Sequence, residues 1–280
     1  MKVEIICAAN NDPGLKYSGQ VAELLISAGC EVYAPMLPAG GLPAGVKEGF
    51  VNERDLVVAL GGDGTIMRTA HRTARRGIPI IGINLGHVGY LAELEPDEIP
   101  RITEFFDGKY TVEKRGMLEV SHFRAGARLS GGLLALNDVT VTRGGLSKLL
   151  ELSVEENGRH LMDFRSDGII VSTPTGSTAY SLSAGGPVLD PELNAVCVIP
   201  VCPQSMMCRP VVLDNSKTVS VVYRGHAGKV NLALDGREAG IMEPGDTVTV
   251  SSSRHTANFV RFEKERHGFF EVMKDKLSRL

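Results

Sequence analysis

Val57-Val58-Ala59-Leu60-Gly61-Gly62-Asp63-Gly64-Thr65 is an apolar, β-prone run that stops abruptly at three glycines set around one carboxylate. This transition predicts a strand that ends in a phosphate-binding turn. Glycine at 61, 62 and 64 leaves no Cβ to hold a ligand's phosphates off the backbone, and it permits the φ > 0 conformations that aim several N–H groups at one point. In the continuation, residues 65–76, Ile66, Ala70 and Ala74 fall on one helical stripe. The turn therefore opens onto a helix N-terminus carrying partial positive charge. Asp63 is the odd residue, because a lone carboxylate is repelled by the anion that such a turn binds. It makes sense if a metal ion screens the repulsion, or if it contacts a hydroxyl that attacks the phosphate. The plainer alternative is a helix cap beside a tight glycine turn.

Working outward, a strand at Val3 to Ala8 leads through Asn10-Asn11-Asp12-Pro13-Gly14 to a helix over 15–28, striped by Val21, Leu24, Leu25 and Ala28 and ended by Gly29. A strand at Glu31 to Ala34, a Pro/Gly-rich loop at 35–45, the strand Leu56 to Leu60, the helix after Asp63 and a strand at Ile78 to Ile83 follow. Strands separated by helices predict an open, mostly parallel α/β sheet. Ligands of such sheets sit at the carboxyl ends of strands, where Gly61 to Thr65 falls.

Near residue 110 the rhythm changes. Tyr110 to Glu113, Leu118 to Phe123, Leu133 to Thr142, Leu149 to Glu155, His160 to Phe164, Gly168 to Ser172, Ala195 to Pro200, Thr218 to Tyr223, Lys229 to Leu234 and Thr247 to Ser251 read as short strands. Asn157-Gly158 is a two-residue hairpin signal and Glu243-Pro244-Gly245-Asp246 a second turn. The expected organisation is an α/β domain over 1–110 and an antiparallel β-rich domain over 111–265. Residues 266–280, helical through Phe270, Met273 and Leu277, either pack back on the first domain or mediate self-association.

With 280 residues and 43% hydrophobic content the chain can bury two modest cores, and a net charge of −3 argues against nucleic acid as a partner. Arg68, Arg72, Arg75 and Arg76 form a local cluster, read as a solvated helix face with a phosphate role left open. The opening Lys2-Val3-Glu4-Ile5-Ile6 is too short and charged for a signal peptide, and no run is long enough to span a bilayer, so a cytoplasmic protein without membrane attachment is expected. Cys7, Cys30, Cys197, Cys202 and Cys208 show no metal spacing and read as free thiols.

Residues 167–187 are the densest polar cluster. The apolar strand Ile169 to Val171 runs into six hydroxyls, Ser172, Thr173, Thr175, Ser177, Thr178 and Ser181, interrupted by Pro174 and Gly176. Directional hydroxyls on a stiffened loop suit a purine or sugar, and the interleaved Ala179, Tyr180, Leu182 and Ala184 favour a binding loop over a plain surface loop. Asn137-Asp138 sits in an otherwise apolar β-pattern, where either a turn or a ligand must satisfy it. Asn84, followed by Gly86 and Gly89 at a strand end, has the same character.

Gly61-Gly62-Asp63-Gly64-Thr65, Gly82-Ile83-Asn84 with Gly86 and Gly89-Tyr90-Leu91, Asn137-Asp138, Asp167-Gly168, Ser172 to Tyr180 and Ser183-Ala184-Gly185-Gly186-Pro187 together resemble the NAD kinases, in order and spacing over about 55–210. Lipid kinases and phosphofructokinases carry loops like the first motif; the long Ser/Thr motif is the specific one. The resemblance implies transfer of a phosphoryl group from ATP, or from polyphosphate in some members, to the adenosine-ribose 2′-hydroxyl of NAD, with a divalent metal, Mg²⁺, and a homodimer or homotetramer. It implies that Asp63 contacts the attacking hydroxyl, that Gly62, Gly64 and Thr65 line the phosphates, and that Asn137 and Asp138 hold the adenosine. Thr175, Thr178 and Ala179 would face adenine, while Asp167, Tyr180 and Ser183 would contact adenine or the nicotinamide half, partly across a subunit boundary. Asn84, Tyr90 and Arg165 complete the implied nucleotide-binding set. Asp138 stands where many members have Glu, Tyr90 where Phe is frequent, and Gln204 where many carry His. A lipid kinase would want an apolar or basic membrane-facing surface, which the chain lacks, and a nucleotide sensor without turnover gains nothing from a carboxylate beside phosphates.

Overall fold

The computed structural model describes residues 1–7, 12, 15–35, 42–50, 52–86, 89–145, 148–225, 228–263, 269 and 273–274. It divides into two compact units, one of Met1–Lys114 with Thr256–Leu280 and one of Arg115–His255.

The first unit opens with β1 (Lys2–Cys7), α1 (Lys16–Ser27), β2 (Glu31–Tyr33), β3 (Leu56–Leu60), α2 (Asp63–Thr73) and β4 (Pro79–Ile83). The strands lie in the order β2-β1-β3-β4 and every pair is parallel, as the alternation of strands and helices demands. β3 is buried along its whole length, which is why Leu56 to Leu60 reads as a continuous apolar run without alternation. α1 buries Val21, Ala22 and Leu25 and stops at Gly29, whose φ of 77° lets Cys30 N–H reach back to Leu25 O at 3.0 Å. The Asn10 to Gly14 turn lies outside the described residues except for Asp12, whose carboxylate caps α1 by accepting from Tyr17 N–H (3.1 Å) and Ser18 N–H (2.6 Å). A 3₁₀ turn at Pro96–Ile102 runs into α3 (Thr103–Phe106), a segment the sequence reading passed over.

The second unit is built from β5 (Tyr110–Arg124) after its first five residues, β6 (Ala127–Ala135), β7 (Asp138–Arg143), β8 (Leu150–Glu156), β9 (Arg159–Ser166), β10 (Gly168–Ser172), α4 (Tyr180–Ser183), β11 (Ala195–Val201), β12 (Val211–Asp214), β13 (Val219–Tyr223), β14 (Val230–Leu234), β15 (Arg237–Met242) and the start of β16 (Thr247–Phe262). One sheet, β12-β11-β10-β7-β14-β15, is antiparallel throughout. β13 pairs antiparallel with β8 and with the start of β16, β8 pairs with β9, and β5 with β6. Val139, Val141, Ile169, Val171 and Val198 from the first set share a core with Leu152, Val154, Val221 and Tyr223 from the second. The Asn157-Gly158 hairpin joins β8 to β9 with φ of 49° and 75°. Three readings change. Tyr110 to Glu113 and Leu118 to Phe123 are one strand, the segment Leu133 to Thr142 breaks at Leu136-Asn137, and the strand begun at Thr247 continues to Phe262. β12 and β15 were not foreseen.

The far end of β16 returns to the first unit, where Asn258 and Phe259 pair parallel with Pro79 and Ile80 of β4, making a fifth parallel strand. Phe262 N–H donates to Glu93 at 2.9 Å, and the buried Arg261 guanidinium meets both Glu93 and Glu113. The expected helix at 266–280 lies outside the described residues save for 269 and 273–274.

Candidate active site

At the carboxyl end of β3, Gly61 N–H donates to Ile83 O (2.9 Å) with a φ of 150°. Gly62 caps α2 with an ordinary φ of −79°, and Gly64 is already helical, so positive φ explains Gly61 alone. A Cβ on Gly62 would meet nothing within 4 Å, so the backbone there faces open space. Asp63 is the first residue of α2, and its carboxylate does not cap its own helix. Oδ2 accepts from Tyr90 N–H at 2.9 Å and Oδ1 from Leu91 N–H at 3.1 Å. Two charge-assisted bonds from a segment 27 and 28 residues away hold the side chain in one pose at the mouth of the glycine turn.

The segment that supplies those amides is itself pinned. Arg261 Nη1 donates to Leu91 O at 3.2 Å. Asn84, buried, donates its amide to Glu95 (3.1 and 3.2 Å) and accepts Gly86 N–H on Oδ1 (3.2 Å), so it shapes the chain after β4. The Tyr90 ring lies 6.1 Å from that of Phe269, and burial, then the Asp63 charge, raises its phenol above the ordinary tyrosine value. Thr65 is buried and accepts from Arg68 at 3.1 Å. The arginine cluster is not wholly solvated. Arg72 meets the fully buried Glu4 of β1 at 2.8 Å, with Arg54 on the other carboxylate oxygen, because a charge in the sheet interior persists only when paired.

In the second unit the chain bends at Leu136-Asn137, and the agent is Asp235, absent from the sequence reading. Its carboxylate accepts Leu136 N–H (2.7 Å), Asn137 N–H (2.7 Å) and Asp138 N–H (3.0 Å). Asp235 and Gly236 join β14 to β15 with φ of 48° and 72°, so the Asp-Gly pair was a usable hairpin signal. The Asp138 side chain is buried; that burial, and then the Asp235 charge, pushes its carboxyl up to about 7.

Of the six hydroxyl residues of the cluster, all but Thr178 are buried. Thr173 Oγ1 donates to Leu136 O (2.6 Å), Ser172 Oγ to Thr173 O (2.9 Å), and Ser177 Oγ accepts Leu189 N–H (3.0 Å). These groups stitch the loop to the Asn137 bend and to itself. Thr175 is buried at the head of a 3₁₀ turn, Thr175–Thr178, where it accepts from the buried Arg115 at 3.3 Å. Gly176 lies against the bend so tightly that a Cβ would stand 2.1 Å from Asn137 O. Thr178 and Ala179 are half-buried, and Tyr180 and Ser183 are exposed. Asp167 pairs with Arg143 Nε at 2.7 Å, and Arg165, exposed on β9, pairs with Glu151 while its carbonyl accepts Gln204 N–H at 2.8 Å.

Residues 3–110 match the model of the ATP-NAD kinase N-terminal domain and residues 136–262 that of the ATP-NAD kinase C-terminal domain. An NAD kinase of Geobacter sulfurreducens is 36% identical over 99% of this chain and 98% of its own length. One from Symbiobacterium thermophilum is 39% identical over 81% of this chain and 79% of its own. Among solved structures, yeast NADH kinase complexed with NADH superposes with a TM-score of 0.87 at 25% identity, covering 99% of this chain and 87% of that one. An NAD kinase from Archaeoglobus fulgidus in complex with ATP gives 0.75 at 26% identity over the whole of both chains.

Proposed function

The chain belongs to the NAD kinase family, and from that membership we propose how its residues divide the work of phosphorylating NAD to NADP with ATP. Asp63 accepts a hydrogen bond from the adenosine-ribose 2′-hydroxyl and takes its proton late in the transfer. The observation that carries this assignment is the clamp of Tyr90 and Leu91 amides on its carboxylate, which fixes an acceptor at the N-terminus of α2 beside open glycine backbone. A carboxylate is a weak base at neutral pH, so in a loose phosphoryl-transfer transition state it acts chiefly by orienting the nucleophile. Gly62, Gly64 and Thr65 line the donor phosphates, where backbone amides and the helix terminus favour anions. A divalent cation such as Mg²⁺, if carried with the donor phosphates, would neutralise their charge. Among the described residues no group of three His, Cys, Asp or Glu side chains converges to hold a metal.

We assign adenosine recognition to Asn137 and Asp138, with Thr175, Thr178, Ala179, Tyr180, Ser183, Asp167 and Arg165 as further nucleotide contacts. The support is that the bend bearing Asn137 and Asp138 and the loop after β10 are locked together by the Thr173 and Gly176 contacts. Asn84 and Tyr90 act by shaping the Asp63 clamp. The protein is cytoplasmic, which its five free cysteines support. It assembles as a homodimer or homotetramer, which the exposure of Tyr180 at 44% and of Met206 and Met207 at 80% and 89% supports. Among the described residues no helix is long and apolar enough to cross a membrane.

The test is incubation with NAD, ATP and Mg²⁺, following NADP through an NADP-specific dehydrogenase, with Asp63→Asn alongside. NADP formation that depends on Asp63 supports the assignment; a variant with wild-type turnover removes Asp63 from the chemistry.

A further inference from the structure

We infer that Asp235 is the positioning residue of the nucleoside clamp: its carboxylate sets the backbone of the Asn137-Asp138 bend and thereby the affinity for NAD. The inference rests on the reading of that bend as the adenosine site.

Three consecutive peptide N–H groups, of Leu136, Asn137 and Asp138, converge on the two oxygens of one buried carboxylate at 2.7, 2.7 and 3.0 Å. An extended strand cannot present successive amides to one point, because they alternate between opposite edges. The carboxylate therefore stabilises the bend that interrupts the β-pattern between Ala135 and Asp138. The return contact closes the pair, since Asp235 N–H donates to Asp138 O at 2.9 Å. The carbonyls of the same bend are taken from the other side: Leu136 O accepts Thr173 Oγ1 at 2.6 Å and Asn137 O accepts Thr173 N–H at 2.9 Å. With its backbone held from both faces, the bend has one conformation in which to present Asn137 and Asp138.

The chemistry of position 235 fits the role. Its φ of 48° belongs to the left-handed region, which Asp and Asn enter at little cost and which a hairpin of this kind requires. Asn could serve the turn equally well but brings one acceptor oxygen and an NH₂ that faces the converging amides. Only a carboxylate offers acceptors to all three. Asp235→Asn therefore keeps the hairpin and removes the charge that organises the bend.

The experiment compares Asp235→Asn, Asp235→Glu and Asn137→Ala with wild type, each as the full-length protein, by melting temperature and by KM for NAD and for ATP. Weakening charged hydrogen bonds to the bend should raise KM for NAD about 10- to 100-fold. KM for ATP should change less than about threefold, and Asp235→Glu, which keeps the charge, should restore part of the loss. A lower melting temperature with unchanged KM for NAD makes Asp235 purely structural and overturns the inference. If Asn137→Ala raises KM for NAD but Asp235→Asn does not, positioning is refuted while the adenosine site stands. If neither does, the bend is not the adenosine site and the inference falls with that reading. Should Asp235→Asn fail to fold, Asp235→Ser decides: its hydroxyl carries no charge and cannot accept from all three amides, so an unaltered KM for NAD overturns the proposal.

Discussion

Gly89 and Asp63 compete for one small volume: a Cβ on Gly89 would stand 2.5 Å from Oδ1 of Asp63 and 3.3 Å from its Cγ. The colliding atom is the end of a side chain, so Gly89→Ala is relieved by turning the carboxylate out of its clamp rather than by moving backbone. We expect a melting temperature close to wild type and a kcat reduced about 10²-fold, the scale of a misplaced catalytic group. Retention of full kcat would show that the clamped pose is not the working one.

Asp63→Asn leaves an oxygen for one of the two clamping amides but no proton acceptor for the 2′-hydroxyl. The expected loss is about 10² to 10⁴ in kcat, roughly 3 to 5 kcal/mol, with unfolding by denaturant little changed. Steady-state kinetics with saturating NAD and ATP reads this directly.

Gly176→Ala should be costly in both currencies. The added methyl would lie 2.1 Å from Asn137 O and 2.5 Å from its carbonyl carbon, and both are backbone atoms. Overpacking of this kind costs about 1 to 3 kcal/mol. Because the strain falls on the bend, KM for NAD should rise with it. Equal stability and unchanged KM would disprove the close approach.

Asp138, whose carboxyl burial and Asp235 push up to about 7 from 3.8, gives a pH signature. Between those values the native state holds a proton that the unfolded chain has released, so stability falls as pH rises through that window. In Asp138→Asn this contribution is gone. The melting temperature of the variant relative to wild type should therefore climb between pH 5 and pH 8, whereas parallel curves would mean that Asp138 does not titrate there.

Asp246, fully buried, receives His122 Nε2 (2.8 Å), Arg124 Nε (3.0 Å) and Nη2 (2.9 Å), and Glu243 N–H (2.9 Å). Burial alone would raise its carboxyl, but the bonds from Arg124, the Glu243 amide and His122 outweigh it and hold the group at about 2. Its stabilisation is present above the ordinary carboxylate value and is lost as pH falls towards 2. Asp246→Asn should destabilise by about 2 to 3 kcal/mol at pH 7, less than a fully buried pair because Arg124 is partly exposed. Denaturant titration checks the value.

Local pattern carried the first unit, since Leu56 to Leu60 is both apolar and abruptly ended, and the Ile66, Ala70, Ala74 stripe has one helical solution. It failed where the determinant is distant. Nothing near Leu136 announces a break in the strand, because Asp235, about a hundred residues on, makes it. Pro96 and Pro100 disguised the 3₁₀ turn that the Glu95 and Glu98 capping box starts. The hydroxyls of 172–181 were visible, but not which faced inward, since composition does not say which side of a loop is buried. Asp63 was legible as a residue in conflict with its surroundings; its clamp, set by Tyr90 and Leu91, was not.

The fifth parallel strand has a consequence for synthesis. Residues 115–255 form a contiguous unit that can close as soon as it leaves the ribosome, whereas the sheet begun at Lys2 keeps the β4 edge unpaired until Asn258 and Phe259 have been translated. The unit bearing Asp63 is thus the first to be made and the last to be finished. Until then its nascent chain exposes an apolar, hydrogen-bonding edge that chaperones or stray strands can recognise.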